Sequence, residues 1–203
     1  MLDSTPKKKH QGFTLLEVMI VLTVIMILGS LTVPRMMTTV NDISLRYVAS
    51  DLSGLLQSAR ILAVKQNTFY AVQAGAVASG APIYYIGKPT AAYAVGNPIQ
   101  PVNPAITFFQ GAGSGAPNEA AFIAGLKFTV DPVTTDPPSF SARGLPCVGT
   151  ANSCTPVAGQ GFVMFLTRAA VVGNIPWAAV VINPSGHIQI WSCDIAGTWI
   201  QRD

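Results

Sequence analysis

The feature that most constrains this chain is the apolar run Phe13-Thr-Leu-Leu-Glu-Val-Met-Ile-Val-Leu-Thr-Val-Ile-Met-Ile-Leu-Gly-Ser-Leu-Thr-Val33, placed directly after the polar, basic stretch Met1–Gly12. As a helix the run reaches about 30 Å, the thickness of a bilayer's hydrocarbon core. Lys7, Lys8 and Lys9 lie on its N-terminal side, and positive charge holds that end in the cytoplasm. An ordinary secretory signal has a shorter apolar core and a small-residue cut site after it. Neither holds here, and no cysteine stands near enough for a lipoprotein signal. A permanent signal anchor fits the length but gives no use for Glu17. At a membrane centre a lone carboxylate costs roughly 2.5–3.5 kcal/mol; near the interface, or protonated, it costs less.

Pro34 follows the run and predicts a kink, since it removes one helical hydrogen bond and clashes with the preceding turn. Beyond it, Met36, Val40, Ile43, Tyr47, Val48, Leu52, Leu55, Leu56, Ala59, Leu62 and Ala63 recur at three- and four-residue spacing. Asp42, Arg46, Asp51, Gln57, Arg60 and Lys65 fall mainly on other faces. The pattern predicts one helix over 13–66, roughly 80 Å long. Its first half is apolar all round and suits lipid or a filament core. Its second half has one apolar stripe for docking on a sheet. Gly54 weakens that half by about 1 kcal/mol relative to Ala.

From Asn67 the period changes. Strands are predicted at Thr68–Ala74, Pro82–Ile86, Ile106–Phe109, Ala124–Val130, Ser139–Ala142, Gly161–Thr167, Trp177–Asn183 and His187–Cys193, short and rich in β-branched and aromatic residues. Asn183-Pro184-Ser185-Gly186 reads as a turn between the last two. Gly87–Pro104, Gly111–Pro117 and Asp131–Pro138 read as loops. Gly111-Ala-Gly-Ser-Gly115 lacks the Lys-Ser/Thr of a phosphate-binding loop and reads as a flexible segment. The fold class is α+β: a long N-terminal helix, transmembrane in its first half and amphipathic in its second, packed on a mostly antiparallel β domain. The expected organisation is a leader at 1–12, the helix at 13–66 and the β-rich domain at 67–203.

Charge and composition narrow the function. The chain has 12 Lys and Arg against 9 Asp and Glu, a net +3. Residues 1–12 hold three lysines and Asp3, so without them the side chains carry +1. That balance makes no case for a nucleic-acid partner. Outside the cytoplasm, Cys147, Cys154 and Cys193 predict one disulfide and one odd thiol. Cys147–Cys154, around a Gly/Thr/Asn/Ser loop, is the favoured pair; pairings with Cys193 stay open. Beyond residues 1–12 the one histidine is His187, beside Ser185 in a turn. With no paired carboxylates and no metal motif, the reading is not an enzyme, with no cofactor and no metal. Trp177, Trp191 and Trp199 read as core or filament-contact residues.

Gly12-Phe13-Thr14-Leu15-Leu16-Glu17 after a basic leader resembles the class III signal of type IV prepilins. The resemblance implies that a prepilin peptidase cuts between Gly12 and Phe13 and N-methylates Phe13. It further implies that Glu17 meets a neighbouring subunit's Phe13 amine in a filament with other pilins. Physical chemistry agrees with these roles. Gly12 leaves the chain extended in a protease cleft, and a buried charge is tolerable when paired. The stretches Leu56–Asn67, Ser139–Gly144 and Val181–Ile190 are similar to the GspH/FimT family of type II secretion pseudopilins and minor pilins. That resemblance implies a structural subunit of a type IV pilus or of a type II secretion pseudopilus. It starts in the bacterial inner membrane, single-pass, with the C-terminal domain periplasmic. Some FimT-type proteins bind DNA through a Gly-Arg-x-Arg motif; here Gly186-His187-Ile188-Gln189 has lost both basic positions. Three alternatives stay open. They are a DNA-binding minor pilin, which a basic strip of Lys88, Lys127, Arg143, Arg168 and Arg202 would support; a major pilin; and a signal-anchored periplasmic enzyme.

Overall fold

A computed structural model describes residues 14–131, 137–150, 152–156, 158–168 and 175–202, without the side chains of 31–35, 37 and 38. Lys7–Lys9, His10, Gly12 and Phe13 lie outside the described residues. The chain divides into two compact units, Met1–Met37 and Thr38–Asp203. The helix α1, Leu15–Lys65, is assigned through both.

In the first unit the described part of α1 is apolar on every face, and Leu15 through Leu28 stay exposed. Thr14 caps it: its Oγ1 accepts the backbone N–H of Glu17 at 3.2 Å. Thr14-x-x-Glu17 is therefore a capping-box pattern, with the carboxylate at the positive end of the helix dipole. Among the described residues no helix is long and apolar enough to cross a membrane. Thr14–Ser30 reaches about 25 Å, and the side chains of Leu31 to Val33, which complete the run, are not among those described. Pro34, the expected kink, also lies there, within the helical assignment.

In the second unit α1 buries Leu45, Ala49, Leu52, Leu56, Ala59 and Ala63. Their alternating four- and three-residue spacing makes one stripe. The expected stripe began earlier, and this is a correction: Val40, Ile43 and Tyr47 are exposed, as is Met36. Tyr47 stands about 160° around the helix from Leu45, so these residues form a separate apolar line facing away from the core.

Among the described residues twelve strands follow: β1 Tyr70–Ala76, β2 Pro82–Gly87, β3 Ile99–Pro101, β4 Ile106–Gln110, β5 Thr129–Val130, β6 Ser139–Phe140, β7 Pro146–Gly149, β8 Cys154–Thr155, β9 Gln160–Arg168, β10 Trp177–Ile182, β11 Ile188–Cys193 and β12 Trp199–Arg202. They build two sheets, ordered β3-β2-β1-β6-β7-β8 and β12-β11-β10-β9-β4, with β5 beside β9. All pairings are antiparallel except β5–β9. The first core lies between α1, the first sheet (Val72, Tyr84, Ile86, Phe140) and the inner face of the second (Phe162, Met164, Leu166, Val180, Ile182). Alternate residues Val163, Phe165, Ala179 and Val181 feed a second core on the outer face. With both faces covered, β9 is apolar without alternation.

The expected strand at Ala124–Val130 is corrected. A second helix, α2 Glu119–Gly125, occupies its start, and only Thr129–Val130 pair as β5. Glu-Ala-Ala-Phe-Ile-Ala favours helix, and Phe122 drives it onto the outer core. There Phe122 stacks on Trp199 at 4.5 Å between ring centroids and meets Phe165 and Trp191 edge-on. The tryptophans, expected as core or filament-contact residues, are half-buried and pack against this outer core. The expected loop Gly87–Pro104 contains β3. The short strands β7, β8 and β12 are also additions to the sequence reading.

Candidate functional site

The three stretches singled out in the sequence, Leu56–Asn67, Ser139–Gly144 and Val181–Ile190, meet at one side chain, Arg60. Its Nε donates to the Gly144 carbonyl at 3.0 Å and its Nη2 to the Ser185 carbonyl at 3.4 Å. One guanidinium thus ties the last turns of α1 to the β6–β7 turn and to the β10–β11 turn. Both turns present glycine to it. Gly144 and Gly186 sit at φ +73° and +80°, and a Cβ on Gly186 would fall 2.5 Å from the Gly144 carbonyl oxygen. Only glycine meets both the conformation and the close approach.

Asn183 builds the second turn. Its Oδ1 accepts from the Ser185 N–H, the Ser185 hydroxyl and the His187 N–H, and the Gly186 N–H returns to the Asn183 carbonyl. The turn expected from Asn-Pro-Ser-Gly is present, with Ser185 and His187 as its members.

Beside Arg60 opens a groove of about 600 Å³, walled by Gln57, Ile61, Val64 and Lys65 of α1 and by Gly186, His187 and Ile188. Its apolar wall is solvent-facing: Ile61 and Val64 are both exposed. Every ionisable lining group is basic. A second cavity of about 320 Å³ lies by Tyr84, Phe108, Gln110 and Met164. Burial raises the Tyr84 phenol far above its ordinary range, so no proton chemistry near neutral pH is available from it. Among the described residues, no three His, Cys, Asp or Glu side chains gather as metal ligands.

The basic residues of the alternative DNA reading are spread over different elements. Lys88 follows β2, with its ammonium 5.9 Å from the Phe69 ring centroid. Arg143 lies in the β6–β7 turn. Arg202, on β12, donates to Ser192 Oγ at 2.7 Å. Lys127 precedes β5, which pairs with the start of β9 at Gln160 and Gly161, whereas Arg168 ends β9, about 25 Å along the strand.

The Gly111–Gly115 segment, expected as a flexible loop, is folded around the Glu119 carboxylate. That carboxylate accepts the Gly113 N–H, the Gly115 N–H at 3.1 Å and the Ser114 hydroxyl at 2.7 Å. An anion-binding nest is present, and its anion is the chain's own. Sequence reading missed this partner, which lies four residues beyond the last glycine.

Cys147 and Cys154 form a disulfide with Cα atoms 5.5 Å apart, across the β7–β8 hairpin. Cys193 is free and partly buried. Burial first, and then the neighbouring Asp194, raise its thiol pKa.

Residues 7–33 match the family model described as "Prokaryotic N-terminal methylation motif". The match spans the basic leader, the Gly12–Phe13 junction, Glu17 and the apolar run. It supports a type IV prepilin-like protein and implies processing by a prepilin peptidase and assembly with other pilins. No curated protein matches the chain, and no solved structure does.

Proposed function

We propose that the chain is a structural subunit, a minor pilin or pseudopilin of the GspH/FimT type, of a type IV pilus or type II secretion pseudopilus. The observation that carries this is the methylation-motif match across Gly12–Phe13. Cleavage there frees the Phe13 amine. The helix from Phe13 to Val33 crosses the inner membrane and leaves the β domain on the periplasmic side.

Assembly moves the same helix from lipid into a bundle with the helices of other pilins. Two observations support that role. The side chains of α1 from Leu15 to Leu28 have no core of their own to enter. The separate exposed line Val40, Ile43 and Tyr47 gives a neighbour an apolar surface beyond the membrane. In the bundle Glu17 pairs with a neighbour's Phe13 amine, which fixes axial register, because an unpaired charge there is strongly unfavourable.

Intact mass and N-terminal analysis test the reading, on protein from membranes with and without prepilin peptidase. The expected result is a chain beginning at methylated Phe13 that is lost without the peptidase. An unprocessed Met1 terminus in both would replace the subunit reading with a signal anchor.

A further inference from the structure

At the opposite end of β11 from the groove, the turn 194–198 holds Ile195 out into solvent at 86% exposure. The turn is braced on several sides. The Asp194 N–H donates to the Thr198 carbonyl and the Gly197 N–H to the Asp194 carbonyl, the Asp194 carboxylate takes the Thr198 N–H at 2.7 Å, and Asn118 Nδ2 donates to the Gly197 carbonyl at 2.9 Å. Ile195 is therefore a rigid apolar knob beside an exposed carboxylate, and little ordering entropy stands against its burial.

The groove has the complementary chemistry. Its apolar wall is Ile61, Val64 and Ile188, and its ionisable groups are Arg60, Lys65 and His187. β11 runs from Ile188 at the groove to Cys193 beside the knob, roughly 17 Å along the strand. Knob and groove thus lie at opposite ends of one sheet and cannot meet within one chain.

We propose that Asp194–Ile195 of one copy docks in the Ile61–Val64–Ile188 groove of a second copy, with Asp194 against Lys65. The contact is head-to-tail and heterologous. Repeated without closure, such a contact builds an open filament rather than a dimer. The inference rests on the subunit reading above and adds a contact between β domains that the N-terminal helix does not supply. Burial of Ile195 supplies the affinity, and the Asp194–Lys65 pair sets register and approach.

The test uses the full chain in membranes, with Cys193→Ser throughout to remove the free thiol next to the knob. Ile61→Cys and Ile195→Cys are placed together in one chain, and each is also placed alone. Both sites are exposed, so the fold tolerates them. Mild oxidation is expected to give a ladder of dimer, trimer and higher species from the double variant, and none from either single variant. Two single-variant chains produced together are expected to stop at dimer. Lys65→Glu should reduce the ladder about two- to fivefold, the scale of an exposed ion pair, and Lys65→Arg should keep it.

N-terminal analysis of the same samples separates the two readings. Chains that begin at Phe13 but give no ladder overturn the contact and leave the subunit reading standing. Chains that keep Met1 and give no ladder overturn both. Equal cross-linking from either single variant, or cross-linking of Ile195→Cys to a different protein, also overturns the contact.

Discussion

Two stretches of the same helix solve opposite problems. Residues 15–28 carry apolar side chains on all faces and bury none of them within the chain, whereas residues 45–63 carry one stripe and bury it completely. The second stretch answers to its own sheets: Leu45, Leu52 and Leu56 lie among Val72, Phe140, Leu166 and Val180. The first answers to something outside the chain. A helix that is hydrophobic all round is of the kind that is buried in a core or a membrane. The lesson is that stability of the β domain and competence for assembly are encoded separately. Substitutions should therefore divide cleanly between them.

The largest test of that division compares truncations in the two stretches and their partners. Phe140→Ala opens the first core where α1 meets the first sheet, and should cost about 3–5 kcal/mol of domain stability in urea unfolding. Leu22→Ala removes a side chain that is exposed within the chain and should leave the same transition unmoved. If Leu22→Ala shifts the transition as far as Phe140→Ala, the two stretches are not independent. The converse experiment is Glu17→Ala. It should leave the domain's unfolding unchanged and reduce the assembled fraction by more than about 100-fold, given about 3–5 kcal/mol for one member of a buried charge pair. The measurement is the ratio of sheared filament to membrane-bound protein. Retained assembly would reduce Glu17 to the third-residue carboxylate of a capping box with Thr14.

How far the sequence revealed these parts follows from where their information lies. The apolar run, its Glu17 and the Gly12–Phe13 junction are contiguous, so they could be read directly and matched. The strands β9 and β10 are legible because buried strands carry unbroken apolar runs rich in β-branched and aromatic residues, and β11 because a turn signal precedes Ile188, Ile190 and Trp191. The helix α2 is not. Its sequence is short, and its driving contact, Phe122 on Trp199 and Phe165, joins residues far apart in the chain. Short edge strands such as β3, β8 and β12 are two to four residues long and hold too little pattern to detect. Met36, Val40, Ile43 and Tyr47 were assigned to the buried face because spacing reveals a stripe but not what covers it. The three stretches that meet at Arg60 were each recognisable, but their meeting was not, since hydrogen bonds that span 84 and 125 residues leave no local signature.

Two intermediate effects sharpen the domain side. Reduction of Cys147–Cys154, replaced as a serine pair, should cost about 2.5 kcal/mol by loop closure for so short a ring. The loss should appear in the domain's unfolding and leave N-terminal processing intact. Arg60→Met keeps the stem of the side chain and removes both carbonyl bonds, for a loss of about 1.5–3 kcal/mol. Gly186→Ala in the same turn should be at least as damaging, because its Cβ would strike the Gly144 carbonyl and its φ is unfavourable for alanine. A wild-type-like Gly186→Ala would mean that the clamp yields easily and is not what positions the groove.

The smallest effect is alkaline and belongs to the domain alone. Burial raises the Tyr84 phenol well above its ordinary 10.0, raises Tyr85 in the same direction, and with Asp194 raises Cys193 above its ordinary 9.0. In each case the fold favours the neutral, protonated form. As pH climbs past about 9 to 10 the unfolded chain releases these protons first and so binds fewer than the native state. The slope of stability with pH is then negative, and stability is lost as pH rises. The loss approaches about 1.4 kcal/mol per pH unit for one strongly shifted group such as Tyr84, and less for Tyr85, whose shift is smaller, and for the half-buried Cys193. Urea midpoints measured from pH 8 to 11 should fall over the upper part of that range. Tyr84→Phe should flatten most of the fall, because it removes the phenol that burial shifts farthest, and Tyr85→Phe should flatten little of it. An equal fall in the Tyr84→Phe variant would place the alkaline sensitivity elsewhere and remove Tyr84 from the set of groups that the first core holds neutral.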